Sequence, residues 1–460
     1  MLTALRLTSV AHSAPSAYEN RQTPPDLSTL LAPLVDRADM IVRAQVRQSN
    51  SRWNRDHTLI ETEHRLTVRY TLLGKTLREL LIQTDGGFLP AEGLGMASSH
   101  TPDFAPGEEV LVFLQQSAAG YKVIGGEAGK FSVIKQEAVN DYYSEHPTLE
   151  QLIPQIFTVA ASQGRSINLS SNWRSAESST AARTINTPNQ LSVDPKWPGL
   201  APKIKVKVNL NSSHIGDQGG SAELFLTAIK NALRTWSVVT EAEFTLLYDG
   251  ETTATNTGFN TKNEILFMPK GANSQVGQAQ VWFTSSGSIV EADIWLNEDY
   301  QLDATGAPQG SEIDLESAAL HEIGHWLPLG HTTNPNDMMY PILGAGQRRI
   351  TLSSDDSSRL AALYPCAVVP CIDPAYVDNG TPQATATVIT NTTPTPNATA
   401  ITTATPNSTA ISTVIATASS TITTTPTLAD TPAITGTPTL VPSAVTPTSG
   451  LNLFLPVVRR

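Results

Sequence analysis

HEIGHWLPLGH, residues His321 to His331, is the stretch on which the fold and the chemistry turn, and it runs on through TTNPNDMMYP to Pro341. On an α-helix residues four apart share a face, so His321 and His325 present two imidazole nitrogens to one point. Glu322 projects into the neighbouring quadrant, where a carboxylate can take a proton from a metal-activated water without occupying a coordination position. A third ligand at His331 reaches the same point only if the helix stops and the chain turns back, and Pro328 and Gly330 supply that interruption. Three protein ligands leave a fourth position open, which is the arrangement of catalytic and not of structural zinc. Three of the nine histidines fall inside this short stretch, so a chance collection of core or surface histidines is the weaker explanation.

The surrounding sequence, from about Pro195 to Tyr364, mixes two periodicities. IKVKVNL alternates as a strand, and AELFLTAIKNALRTW places Leu224, Ile229, Leu233 and Trp236 near helical spacing. NEILFMP, AQVWFT and EADIWLN read as further strands, a helix from about Asp314 carries the histidines, and SSDDSSRLAALY reads as a last helix capped by Ser354 or Asp355. Strands followed by helices predict an α+β domain over 195–372.

HEIGHWLPLGHTTNPNDMMYP resembles the matrixin branch of the metzincin metallopeptidases, whose HExxHxxGxxH is followed eight residues later by the methionine of an xMYP segment; counted onto this chain that methionine is Met339. The resemblance extends to TAIKNALRTWSVVTEAEF, VWFTSSGSIVEADIWLN and LSSDDSSRLAALYP, and so covers roughly residues 195–365. It implies a twisted five-stranded sheet over an active-site helix, substrate antiparallel along the strand containing Asp293 to Leu296, and Met339 as the floor beneath a zinc ion. The implied activity is that of a secreted zinc endopeptidase acting on protein or peptide substrates; the rival is a surface adhesion or binding module that keeps the fold without turnover. The chain departs from the family at Pro328, where the family has glycine. Proline is not expected to take a positive φ, so the reversal is expected at Gly330. The upstream cysteine with which many animal matrixins block their zinc is missing, which excludes that form of latency. Asn297, Glu298 and Asp299 read first as a solvated acidic turn and second as calcium ligands.

Upstream, residues 27–140 alternate short β-rich runs (MIVRAQV, LIETEHRLTVRYTLL, ELLIQTDGG, EEVLVFLQQ, YKVIGG, KFSVIK) with glycine- and proline-marked turns, predicting an all-β barrel or sandwich. Residues 1–26 read as a leader remnant or unstructured end, and 141–194 as a linker containing the short helix LEQLIPQIF. After Cys371 the composition shifts to Thr, Pro, Ala, Ser and Asn, a mixture with too little apolar surface to offset chain entropy, so 373–449 is expected to be an extended stalk suited to cell-surface attachment. Residues 450–460 form an apolar stub. Cys366 and Cys371 are spaced for a small disulfide loop, which suits a secreted or surface protein. A net charge of -12 excludes a nucleic-acid partner, and no apolar run is long enough to span a bilayer.

Overall fold

The structure, a computed structural model, describes residues 26–376 apart from 100, 119, 141, 144, 168–194, 211–214, 216–219 and 273, together with the backbone of 452–454. The leader to residue 25, most of the linker, and nearly all of the stalk and stub lie outside the described residues.

The first half runs α1 (Leu27–Arg37), β1 (Met40–Trp53), β2 (Ile60–Leu73), β3 (Glu79–Asp85), β4 (Gly87–Leu89), β5 (Leu94–Ser98), β6 (Glu109–Ser117), β7 (Gly120–Val123), β8 (Lys130–Ile134), β9 (Glu137–Val139) and α2 (Leu149–Ser162). β1 pairs with β2 along its length and also with β6 over Met40–Gln45, while β3 meets β7 and β7 meets β6, so five strands close into a barrel. The period-2 rule explains the interior: Met40, Val42, Ala44 and Val46 of β1 point inward onto Leu66, Leu80, Ile82, Val110, Val112 and Leu114. Ile41, from the same strand, faces outward into a second core made with α1 and α2.

Those helices correct the all-β expectation. Pro33 interrupts the helical pattern of α1 in the sequence, yet Leu30, Leu31, Leu34 and Val35 pack as one buried face, and Asp26 caps the start by accepting the amide of Thr29 at 2.7 Å. α2 runs longer than its sequence signal and carries Leu152, Ile153 and Ile156 into the same core, so it belongs to the barrel and not to a linker. Arg43 of β1 is wholly buried, its Nε donating to Glu109 Oε1 at 2.6 Å.

The second half runs β10 (Lys203–Val208), α3 (Ala222–Ser237), β11 (Thr245–Glu251), β12 (Asn263–Met268), β13 (Gly277–Thr284), β14 (Ile289–Asn297), β15 (Leu302–Asp303), β16 (Ile313–Asp314), α4 (Leu315–Trp326), β17 (Ile342–Gly344) and α5 (Ser354–Leu363), with β18 (Asn452–Phe454) returning to pair antiparallel with β17. Its sheet has the order β11-β10-β12-β14-β13, parallel except for the β13–β14 hairpin. α3 lays Phe225, Ala228, Ile229, Ala232, Leu233 and Trp236 into the core shared with α4, while Leu224 points outward instead of inward as its spacing suggested. Trp236 Nε1 donates to the carbonyl of Leu320 at 2.8 Å and pins α3 to α4.

One strand assignment is corrected. β14, containing Asp293 to Leu296, is flanked by β12 and β13, so both of its ladder edges are taken and no peptide can pair there. The outer strand of these five is β13, and its free side is met by β5 of the first half, antiparallel from Ser98 opposite Gln280 to Leu94 opposite Thr284.

Glu109→Ala removes the carboxylate from the buried Arg43 guanidinium. The loss of stability should be about 3 kcal/mol, read from urea unfolding, because a buried ion pair that loses its carboxylate leaves the guanidinium's desolvation cost without that compensation.

Candidate metal centre

Asp314 starts the helix that carries the site. Its side chain accepts the amide of Ser317 at 2.8 Å, and every residue of α4 is buried. His321 and His325 therefore project from one face of a fully packed helix. Their Nδ1 atoms lie 2.8 Å from the carbonyl of Met338 and 2.9 Å from that of Leu329. A carbonyl only accepts, so each Nδ1 carries the proton and each Nε2 is left with its lone pair. His325 Nε2 lies 3.2 Å, and His331 Nε2 3.0 Å, from His321 Nε2. Three imidazole nitrogens brought this close, two of them on rings whose other nitrogen is held by a backbone carbonyl, form a donor set that fits a zinc ion held by three histidines. Among the described residues it is the cluster of metal-ligating side chains that converges.

The turn to His331 is built differently from the sequence expectation. Leu327 N–H and Leu329 N–H both donate to the carbonyl of Gly324 at 3.1 Å, and Pro328 between them has φ +28°; Gly330 is not among the glycines of positive φ. The paired bonds demand a left-handed residue between their donors, and the position falls on Pro328. The turn delivers His331 to the other two histidines. Arg359 Nη2 donates to the carbonyl of Gly330 at 2.7 Å and holds the returning segment.

Met339 is fully buried directly beneath α4, where a methyl added at Gly324 would overlap its Sδ. The glycine in HEIGH thus has a local reason: only there can the thioether reach the helix backbone. Asp356 accepts the amides of Met338 at 2.8 Å and Met339 at 3.3 Å, and the same carboxylate forms a capping box with Ser353 at the start of α5. The cap is therefore Ser353, one residue earlier than the sequence suggested, and Asp356 is a positioning residue that sequence reasoning missed. The Ser-x-x-Asp spacing from 353 to 356 was its available signal.

Glu322 is wholly buried beside the histidines, and burial pushes its carboxyl well above the usual range, against the lowering effect of hydrogen bonds from Ser99 and the Ala279 backbone. Ser99 follows β5 and Tyr142 follows β9. The Ser99 hydroxyl donates to Glu322 Oε2 at 3.4 Å, and the Tyr142 ring meets that of His331 edge-on at 6.4 Å. Neither carries a sequence signal, since each is brought to the centre by the packing of the two halves.

The segment Asn297, Glu298 and Asp299 is not a solvated turn at its first residue. Asn297 is buried, its Nδ2 donating to the carbonyls of Gly271 and Gln275 and its Oδ1 accepting the amide of Lys270, each at 3.0 Å. Asp299 accepts the amide of Gly271. These bonds fasten Lys270, Gly271 and Gln275 to the end of β14. Cys366 and Cys371 are disulfide-bonded, at the end of the domain beside Thr240 and Glu241.

A helix bearing two histidines and a carboxylate, a third histidine after a tight turn, and a methionine under all three define the metzincin class of zinc site. Residues 213–365 match the matrixin family, and this part of the chain is a matrixin-like catalytic domain. It is similar to metalloendoproteinase 2-MMP of Arabidopsis thaliana, 30% identical over 30% of this chain and 36% of the relative, and to metalloendoproteinase 1 of Glycine max, 31% identical over 31% and 46%. Stromelysin-1 of Equus caballus is 31% identical over 30% of this chain and 27% of its own length. The chain thus spans less than half the length of the curated relatives it matches.

Pro328→Gly should leave zinc binding unchanged in a chelator competition, since glycine can build the reversal between the two amides that meet the Gly324 carbonyl; loss of zinc in the variant would contradict a turn placed at residue 328. Gly324→Ala should by contrast displace Met339 and lower zinc affinity in the same competition.

Proposed function

We propose that this chain is a zinc-dependent endopeptidase, and the observation that carries the proposal is the convergence of ring nitrogens of three histidines beside the buried carboxyl of Glu322. Zinc held by His321, His325 and His331 would supply a Lewis acid that polarises the scissile carbonyl and acidifies a water molecule. Glu322 takes the proton of that water and returns it to the leaving amine. The carbonyls of Met338 and Leu329 keep His321 and His325 from turning, and Met339 and Asp356 hold the floor at a fixed depth.

Substrate enters this reading as an extended peptide. β13 is the outer strand of the catalytic sheet next to Glu322, since Gly277 lies against that side chain, and a peptide chain bonded along β13 runs toward the carboxyl. The Cys366–Cys371 disulfide favours an oxidising compartment, and so secretion or cell-surface display through 373–449. Among the described residues no helix is long and apolar enough to cross a membrane. The rival reading, a displayed binding module without turnover, has no use for a carboxylate beside the three histidines.

Glu322→Gln should keep stoichiometric zinc by atomic emission yet lower peptide-library cleavage by roughly 1,000-fold, read before and after limited trypsin treatment, because a base is lost and not a ligand. His325→Ala should lose both zinc and cleavage; near-stoichiometric zinc in that variant would overturn the site.

A further inference from the structure

The free edge of β13 carries the peptide-binding role in the reading above, and in this structure the edge is taken. We infer that Leu94–Ser99 is an internal ligand of that edge, lying where a substrate backbone would lie, so that the full chain is latent until the segment is displaced. The inference rests on the endopeptidase reading for what is blocked, but not for the contact itself.

The contact is built as a strand and not as a loose touch. β5 pairs antiparallel with β13 over Leu94–Ser98, and the ladder continues one residue further, with Ser99 N–H donating to the Ala279 carbonyl at 2.9 Å. There the pattern changes: Ala279 N–H donates at 2.9 Å to the Ser99 hydroxyl, which itself donates to Glu322 Oε2. The hydroxyl thus lies against the Glu322 carboxyl, and Glu322, His321 and His325 are at most 1% exposed.

The hairpin is held from both sides. Ile60 of β2, Leu89 of β4, Met96 of β5 and Trp282 of β13 form one buried apolar cluster, joined by Trp53 and Phe259. Trp53 Nε1 donates to Glu92 at the hairpin tip at 2.9 Å, and Phe259 N–H to the carbonyl of Thr58 at 3.0 Å. Gly95 shows how close the strands lie, because a Cβ there would overlap the ring of Phe283, as well as crowding Phe88. No cysteine takes part: both cysteines of the chain are in the 366–371 loop. Latency here comes from backbone pairing plus a serine hydroxyl on the general base.

The test uses the full chain. Gly95→Val forces a side chain into Phe283, and Ala97→Pro removes an amide from the β5–β13 ladder. Hydrogen exchange over 277–283 needs no metal and should quicken on the order of tenfold or more in both variants. After zinc loading, stripping of the ion by dipicolinate and cleavage of a peptide library should quicken with it. Ser98→Cys with Gln280→Cys joins residues directly opposite across the ladder. Added to Gly95→Val and oxidised, this pair should restore slow exchange and slow stripping, which separates displacement from misfolding. Wild-type chain that exchanges, loses zinc and cleaves as fast as both variants would overturn the inference. Faster exchange and stripping without cleavage would uphold the blocked edge and sink the endopeptidase reading instead.

Discussion

Two backbone carbonyls, those of Met338 and Leu329, determine most of what this protein can do. By accepting from the Nδ1 atoms of His321 and His325 they fix the tautomer of each ring and turn two lone pairs toward His331. Each carbonyl is in turn placed by a longer chain of causes. Met338 stays in position because Asp356 accepts its amide from the start of α5. Leu329 does so because the reversal at Pro328 folds its amide back onto Gly324. Helix ends, a turn through proline and a capping carboxylate are all recruited to aim nitrogen atoms at one point.

The site and the enclosure around it have opposite origins. His321, Glu322, His325 and His331 come from a local pattern whose spacing is dictated by helix geometry, and such patterns survive in one-dimensional sequence. The strands NEILFMP, AQVWFT and EADIWLN were readable for the same reason, each being a run of buried residues between turn signals. The hairpin of β4 and β5 was not readable. Its sequence, from Gly87 to Ser98, has one proline, three glycines and no alternation, because one face lies on the barrel and the other lies edge-on to the catalytic sheet. α1 escaped notice through Pro33. The choice of β13 over β14 as the outer strand could not be made either, since both strands of that hairpin are buried on their two faces and only the pairing partners distinguish them.

Pro328 illustrates a limit of propensity arguments. Ring geometry correctly identified the position as unsuited to a left-handed turn, and the turn is there all the same. Leu327 and Leu329 are buried, Trp197 bonds to the carbonyl of Trp326 at 2.8 Å, and Arg359 grips Gly330, so the surroundings over-determine the path.

The pairing of β5 with β13 also bears on how the protein avoids joining to its own copies. Gly277 to Phe283, GQAQVWF, is an uncharged, partly aromatic strand, and with a bare outer side it would be a template for joining copies of the protein edge to edge into aggregates. Residues 94–98 precede it in the chain and pair along that side. While they are in place, two copies of the protein cannot join through it, so the same pairing that covers the site also guards the sheet against aggregation.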